Sequence, residues 1–344
     1  MLAVVSVVTI FILSGCLAEK YDLKLDLEED KIYELITKVE TTSEMNIMEI
    51  KMGFELASDS RYLLNMEDLL ITDNFLIAGQ IPEVKIEITM DDVFVDMPSN
   101  FADVVLDEIK EETRKQKLAA EEKVRKLQGS RFSMVVDEKG GISSAEFGDF
   151  QFNDFENELS SSTMEEAGTV FNWFLGEEGD LQTEGMFDAI YGGKLFKENW
   201  DFFSNCFPEK EVAIGDSWGN SQSFKFGESD IFLSGFIMIE DEYTIKEINN
   251  EKIIFDVSND IYFEREDSLA DDYPAIVEVS NYNIGGFQEG EIIIDRESGW
   301  LLEAEIIQSM TVEITNNIMG QENTTSINFN SIIHSTGNIL LESD

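Results

Sequence analysis

The stretch from Trp300 to Ile314 reads Trp-Leu-Leu-Glu-Ala-Glu-Ile-Ile-Gln-Ser-Met-Thr-Val-Glu-Ile. Its even positions are apolar except for Gln308, and most of the odd positions between them are polar. This alternation is the pattern of a β-strand with one buried face and one wet face. At about 3.3 Å per residue the stretch would span roughly 50 Å, which is too long for a flat strand in a compact domain. We therefore predict strands that bend around a core.

The same period of two recurs in four other parts of the chain. Each part has apolar residues at alternate positions with mostly polar residues between them: Met48–Leu56, Val84–Ile88, Ile253–Phe263 and Ile327–Ile333. Helical signals are confined to the middle of the chain and predict three helical segments, which run from Pro98 to about Gln128, onward from Ser162 or Thr163, and from Leu181 to Phe203. The predicted fold is therefore α+β and β-rich, with a long curved antiparallel sheet, like a half-barrel, wrapped on central helices.

Two segments share one pattern, because Phe132–Ile142 and Glu291–Trp300 both place Asp four residues before Gly between apolar strands. Asp can close a turn through its side chain and Gly can take positive φ, so each segment is predicted to be a tight hairpin. The repetition is compatible with two related sheet halves, 21–150 and 207–344, separated by a helical segment 151–206. It is equally compatible with hairpins of a common kind.

The start of the chain has the features of an export signal. Leu2 to Leu13 is an apolar run, shorter than the roughly 20 residues that a membrane-spanning helix needs. It ends in Leu13-Ser-Gly-Cys16, which resembles the lipobox of bacterial lipoproteins. We predict a lipoprotein signal peptide over 1–15, a lipidated Cys16 with a short tether over 16–20, and one large domain over 21–344. The resemblance implies a palmitate-bearing membrane anchor in the cell envelope, and Leu17 favours the outer membrane.

Composition excludes several classes of function. The formal charge of −47, from 71 acidic and 24 basic residues, excludes unaided binding to nucleic-acid phosphates, which needs clustered Lys and Arg. With Cys16 lipidated, one His and the Cys206 thiol are too few ligands for a transition-metal site. Carboxylates leave calcium binding open. Dinucleotide binding is not indicated, because Gly285-Gly286 with Gly290 has the wrong spacing. We predict no cofactor.

Basic residues are concentrated in one segment, where eight of the 24 lie between Lys110 and Arg131. One interpretation is a solvent-exposed helix supported by pairs such as Glu111 with Lys115. The other is a contact for anionic lipid headgroups or an acidic partner. The residues that would make this contact are Lys115, Lys117, Arg125 and Lys126.

Gly215-Asp-Ser217-Trp-Gly219 matches the nucleophile elbow of hydrolases, and His334 follows it in the chain. The elbow requires a helix after the serine, whereas the residues that follow are typical of a strand. A carboxylate pair is uninformative among 71 acids. A hydrolase that uses Ser217 or a carboxylate pair is therefore the alternative function. Four aromatic residues of the middle segments either line a cavity for an apolar ligand or fill the core: Phe171, Phe174, Trp200 and Phe203.

Several short motifs carry a resemblance to a known family. They are the lipobox, Leu25 to Tyr33, Phe207-Pro208 leading to Gly215-Asp-Ser-Trp218, and Asp295 to Leu301. Together they resemble a family of uncharacterised bacterial lipoproteins common in Bacteroidota, and the long strands around helices are similar in architecture to half-barrel lipoprotein carriers. That family has no assigned activity. We expect a non-enzymatic, lipid-anchored envelope protein that serves as a binding or structural module. Its expected partners are the membrane, through the N-terminal lipid, and an apolar ligand or lipid.

Overall fold

A computed structural model describes residues 20–47, 50–69, 74–90, 94–95, 114, 118, 125, 128–147, 150–151, 206–219, 221–226, 235–265, 277–318 and 321–341. Its strands form one antiparallel sheet of 14 strands. In chain order they are β1 (Lys31–Ile47), β2 (Ile50–Leu69), β3 (Phe75–Met90), β4 (Phe94–Val95), β5 (Arg131–Val136), β6 (Ile142–Phe147), β7 (Phe150–Gln151), β8 (Ser217–Trp218), β9 (Ser221–Phe226), β10 (Gly235–Ile248), β11 (Lys252–Arg265), β12 (Val277–Asp295), β13 (Leu301–Ile318) and β14 (Gln321–Leu341).

Neighbours in the sheet follow the order β7-β6-β5-β3-β2-β1-β14-β13-β12-β11-β10-β8, with β4 beside β2 and β9 beside β10. The first and last long strands, β1 and β14, pair along their whole lengths, from Lys31 opposite Leu341 to Ile47 opposite Thr325. The N-terminal and C-terminal parts of the sheet therefore meet at its centre. The described residues of the five segments with a period of two lie on long strands, except Trp300, which directly precedes β13, so the strand predictions are confirmed for these residues. Residues 48 and 49 lie outside the described part.

Buried apolar side chains lie on one face of the sheet. A single cluster of buried apolar residues contains Ile77 and Met134 of β3 and β5 together with Phe255 and Ile292 of β11 and β12. Seven strand steps separate β5 from β11, which is about 34 Å along a flat sheet at ~4.8 Å per step. Register shifts in the β2–β3 ladder, between Arg61 and Leu63 for example, mark bulges that bend strands. We call the buried side the inner face and the opposite side the outer face.

One end of the curved sheet is closed by residues 20–28, which cross it outside the ladder. Tyr21 and Val212 exchange two backbone hydrogen bonds, of 2.8 and 2.9 Å. Further on, the Leu25 N–H donates to the Glu138 carbonyl and the Asp26 N–H to the Ser298 carbonyl, both at 2.8 Å. The side chains that this segment buries are Leu23, Leu25 and Leu27. We call this end of the sheet, where the segment packs on the adjoining strand ends and turns, the base.

Both predicted Asp-Gly hairpins are present and both reach the base. Asp137 accepts hydrogen bonds from the Lys139 and Gly141 N–H groups, each at 2.8 Å, in the β5–β6 turn. Asp295 accepts from the Ser298 N–H at 2.8 Å in the β12–β13 turn. The glycine with positive φ is Gly299 in the second turn, as expected, but Gly140 rather than Gly141 in the first.

The prediction of central helices is wrong. The described elements are all strands, and the fold of this part of the chain is all-β. Within the first predicted helix, Arg114, Leu118 and Arg125 do have helical backbone, but all three are exposed and Leu118 is 52% exposed. The described core consists instead of inner-face residues of the strands and of residues from the segments 20–28 and 206–213. The other two predicted helices, from Ser162 or Thr163 and from Leu181 to Phe203, lie outside the described residues.

Candidate functional site: a polar row on the inner face

Six polar residues form a line across six adjacent strands of the inner face. Each is the Cα partner of the next, which places them side by side at about 5 Å intervals. From β1 to β10 they are Thr41, Ser331, Gln308, Gln288, Asn259 and Asp241. We call this line the polar row. Gln308, the single interruption in the alternation of β13, lies at its centre.

The polar row becomes more buried toward β10. Thr41, Ser331, Gln308 and Gln288 are half-buried, while Asn259 is 3% exposed and Asp241 is 8% exposed. The hydroxyls of Thr41 and Ser331 are hydrogen-bonded at 2.9 Å. Asn259 Nδ2 donates to Gln288 Oε1 at 2.6 Å. In contrast, Asn259 Oδ1 is buried and has no hydrogen-bond partner.

Glycines leave the inner face bare on both sides of Gln288. Gly286 and Gly290 are the neighbouring inner-face positions on β12, and neither has room for a side chain. A Cβ at Gly286 would lie 2.1 Å from the Ser309 carbonyl oxygen, and one at Gly290 would lie 2.0 Å from the Glu305 carbonyl oxygen. The glycines let β13 pack closely, and they leave Gln288 without side-chain neighbours along its own strand on this face.

Apolar rows flank the polar row on both sides. The cross-strand row on the base side is Val39, Ile333, Ile306, Gly290, Val257 and Tyr243. The row on the far side, from β14 to β10, is Phe329, Met310, Gly286, Ile261 and Ile239. The base-side row is mostly buried, whereas Phe329, Met310 and Ile239 are only half-buried. The inner face is thus an apolar surface divided by one polar line.

The electrostatics of the inner face are acidic or neutral. Among residues whose side chains are described, the inner face carries Asp241 in the polar row and Lys31 at the base end of β1, where Lys31 is paired with Glu28. Burial and, secondarily, Asp241 raise the pKa of Tyr243 well above its usual value, so this phenol stays protonated at neutral pH. No group of His, Cys, Asp and Glu that could hold a metal ion occurs in the part of the chain that the structure describes.

The polar row ends at a break in the sheet margin. β9 pairs with β10 up to Glu240, and β8 pairs with it from Tyr243, so neither edge strand pairs with Asp241. Gly219, which follows β8, approaches this point closely, since a Cβ there would lie 1.7 Å from the Asp241 carbonyl oxygen. The most buried end of the row therefore lies beside the gap between two short edge strands.

The family model of DUF6263, a family of unknown function, matches residues 82–301, more than half of the chain. This chain belongs to the DUF6263 family. The matched region runs from β3 to the first residue of β13 and contains Gln288, Asn259 and Asp241. No curated protein matches the sequence.

Several solved structures align with this DUF6263 protein over most of its length. A structure titled for lipid-protein interactions in lipovitellin has a TM-score of 0.38 and 9% identity, covering 93% of this chain and 26% of that chain. Pseudomonas aeruginosa OccK5 (OpdH) has a TM-score of 0.23 and 6% identity, covering 92% of this chain and 99% of that chain. The DUF6263 chain thus spans about a quarter of the lipovitellin chain. TM-scores this low establish no shared fold.

The structure does not bring the hydrolase residues together. Ser217 and His334 lie on the same outer-face row, five strand steps apart, which is about 24 Å along the sheet. Ser217 Oγ is 2.7 Å from Thr244 Oγ1, and His334 Nδ1 is 3.5 Å from Glu305 Oε2. Because a nucleophile and its base must be within hydrogen-bond reach, this pair does not form a catalytic dyad here. Ser217 is also the first residue of β8, which pairs with β10, and it does not precede a helix there.

Other predicted residues lie apart from the polar row or outside the described part. Cys206 is buried, and burial raises the pKa of its thiol far above the usual value, so it is not a reactive thiolate. Arg125 is exposed, while Lys115, Lys117 and Lys126 lie outside the described residues, so the anionic contact stays a prediction. Cys16 and the four aromatic residues of the middle segments also lie outside the described residues, so the predictions made for them stay predictions. Among the described residues, no helix is long and apolar enough to cross a bilayer.

Sequence reasoning did not find the polar row. Gln308 was visible in the sequence as a polar residue within an apolar series. Its neighbours on the adjacent strands, however, cannot be identified until the strand register is known. Gln288 between Gly286 and Gly290 was a second signal, because glycines within a strand often mark a close approach of another backbone or a ligand.

Proposed function

We propose that this DUF6263 protein is a non-enzymatic, lipid-anchored protein of the bacterial cell envelope that binds an apolar ligand on the inner face of its sheet. The observation that carries the proposal is the polar row. A folding core has no need of a buried amide oxygen without a donor, since leaving one unpaired costs about 1–3 kcal/mol. Apolar rows on both sides of the polar row supply a surface that an apolar chain can cover.

The lipid anchor is supported by the lipobox that ends at Cys16 and by the position of the base. Residues 16–20 extend at most about 17 Å, and Tyr21 is already hydrogen-bonded to Val212 at the base. An acyl chain on Cys16 would therefore hold the base close to the membrane surface. The resemblance to lipoproteins common in Bacteroidota, and Leu17 after the cysteine, support the outer membrane as the location.

Anchoring is tested by the Cys16→Ser variant expressed in a Gram-negative envelope. The wild-type protein should partition into detergent and incorporate labelled palmitate, and the variant should do neither. A Cys206→Ser variant is the matched control, because the Cys206 thiol is buried, and it should behave like the wild type. Equal partitioning and labelling of the wild type and the Cys16 variant would contradict the anchor.

Ligand binding is tested by native mass spectrometry of the full protein extracted from the envelope in a mild detergent. The proposal predicts a noncovalent mass addition that organic extraction removes, in addition to the covalent lipid. A protein that shows only its own mass and the covalent lipid would be a structural module rather than a binding protein.

A further inference from the structure

We infer that the ligand of the inner face is an uncharged amphiphile whose hydroxyl or amide group donates a hydrogen bond to Asn259 Oδ1. This inference rests on the proposed function and specifies the chemistry of the ligand. Asn259 is the most buried member of the polar row, and its amide oxygen is the acceptor without a partner. Its amide nitrogen is already committed to Gln288 Oε1 at 2.6 Å, which fixes the amide in place.

The unmatched atom determines which half of a hydrogen bond the ligand must supply. A carbonyl oxygen accepts and cannot donate, so only a ligand with an N–H or O–H group satisfies Asn259 Oδ1. A second inner-face group, the Ser43 hydroxyl, is also buried without a partner, and Ser43 lies two residues from Thr41 on β1. A hydroxyl can both donate and accept, so Ser43 places no restriction on the ligand.

Charge excludes the most abundant anionic amphiphiles. Fatty-acid carboxylates and anionic phospholipids need a cationic or multiply donating site when they leave water, because an isolated buried charge is costly. Among its described side chains the inner face offers no Lys or Arg near the polar row, because its Lys31 lies at the base end of β1, and Asp241 stands next to Asn259 in the polar row. Asp241 would repel an anionic group placed beside the Asn259 amide oxygen. An uncharged headgroup meets no such repulsion.

The difference in burial between the two apolar rows indicates where the apolar portion lies. Gly290 is the member of the base-side apolar row next to Val257, and Gly286 is the member of the far-side row next to Ile261. Atoms of β13 fill the space beside both glycines, so the chain runs over the strands rather than into them, with its donor group at Asn259. Since Phe329, Met310 and Ile239 of the far side are less buried than the base side, we place the chain on the far side.

The test compares three probes that share a sixteen-carbon chain: 1-hexadecanol, hexadecyl methyl ether and hexadecanoate. Affinities are measured by titration calorimetry with the full, detergent-purified protein after organic extraction of copurified material. The alcohol should bind about tenfold more tightly than the ether, because the ether leaves Asn259 Oδ1 unpaired. Hexadecanoate should bind more weakly than the alcohol, at a pH where it is ionised.

The Asn259→Leu variant isolates the acceptor, and Asn330→Leu is the matched control. Asn330 lies on the outer face of β14, where it accepts a hydrogen bond from Ser309 Oγ, so the same substitution there leaves the inner face unchanged. We expect Asn259→Leu to bind the alcohol and the ether equally and Asn330→Leu to keep the tenfold difference. Thermal unfolding of both variants without a probe verifies that they are folded.

Two results would overturn the inference while leaving the proposed function intact. One is equal affinity of the wild type for the alcohol and the ether, and the other is tighter binding of hexadecanoate than of the alcohol. If none of the three probes binds and native mass spectrometry also finds no copurified ligand, both the inference and the proposed function fail. The comparison of the alcohol with the ether uses the wild-type protein. It therefore tests the inference even if a variant does not fold.

Discussion

Trp300 at the base and Asn259 in the polar row are both almost completely buried, at 1% and 3% exposure. Trp300 packs on Tyr33 with ring centroids 5.1 Å apart, and the Tyr33 hydroxyl accepts a hydrogen bond from the Glu28 N–H at 2.8 Å. Asn259 has one satisfied end and one unsatisfied end. At the base, aromatic rings pack and the Tyr33 hydroxyl is paired, whereas the polar row buries an amide oxygen that has no donor.

The largest expected effect separates these two regions by stability. Trp300→Ala removes a buried aromatic side chain from the base, and we expect it to lower the free energy of unfolding by about 3–5 kcal/mol. Urea unfolding of the variant and the wild type measures the change. A loss below about 1 kcal/mol would mean that the base is not the stabilising core of the sheet.

A pair of glycine variants examines the contact between the base and residues 20–28. Gly299 and Gly215 both have positive φ, +70° and +88°, so Ala at either position is strained by about 1 kcal/mol. At Gly299 a Cβ would also lie 2.2 Å from the Lys24 carbonyl oxygen, whereas nothing lies within 4 Å at Gly215. We expect Gly299→Ala to cost about 2–4 kcal/mol in total, because the segment must shift.

Hydrogen exchange locates that effect. Gly299→Ala should speed exchange of the Leu25 and Asp26 amides, which donate to the turns of the base, and Gly215→Ala should not. Equal protection of these two amides in both variants would show that residues 20–28 are not held through Gly299.

The ionisation of Tyr62, a buried tyrosine on β2, makes the stability of the protein depend on pH. Burial raises the pKa of Tyr62 to about 12, against an effect of the Ser60 hydrogen bond that lowers it. A raised pKa in the folded state means that the stabilisation is complete below the unfolded value of about 10 and is lost as the pH rises toward 12. The loss reaches up to about 3 kcal/mol for this group.

Urea midpoints between pH 9 and pH 12 measure this dependence. Tyr62→Phe keeps the buried ring and removes the ionisable group, so its midpoint should fall less steeply than that of the wild type. Parallel curves for the two proteins would show that Tyr62 ionises without unfolding, which would contradict its burial in the base.

The smallest expected stability effect belongs to the polar row. Asn259→Leu removes an unpaired acceptor, which is favourable, and leaves Gln288 Oε1 without its donor, which is unfavourable. We expect the two contributions to offset, with a change in unfolding free energy within about 1 kcal/mol. A loss as large as that of Trp300→Ala would assign the polar row to the folding core and remove the reason to treat it as a site.

The sequence predicted the strands because their burial pattern is local. In β13 each inner-face residue is two positions from the next, and Asp295 and Gly299 specify the preceding turn within five residues. The N-terminal leucines Leu23 and Leu25 alternate in the same way, yet they cross the base outside the ladder, because alternation reports burial and not pairing. Strand identity was thus predictable, and strand partnership was not.

The prediction of central helices was wrong, and the residues of the alternative hydrolase lie apart, because long-range geometry decides both. Leu118 lies within the first predicted helix, but a period along one segment does not determine what packs against it, and Leu118 is exposed. Ser217 and His334 followed the chain order of a hydrolase, while the sheet order places five strand steps between them. The polar row is formed by the pairing register of the strands, which places Gln308 between Gln288 on β12 and Ser331 on β14.

An experimental structure of the envelope-purified protein soaked with 1-hexadecanol tests most directly whether the polar row binds a ligand. We expect ligand density along the inner face, with the probe hydroxyl within about 3.2 Å of Asn259 Oδ1. An ordered water or another protein group bonded to that oxygen, with no ligand density between β10 and β14, would contradict it. In that case the polar row would be a satisfied part of the folded core.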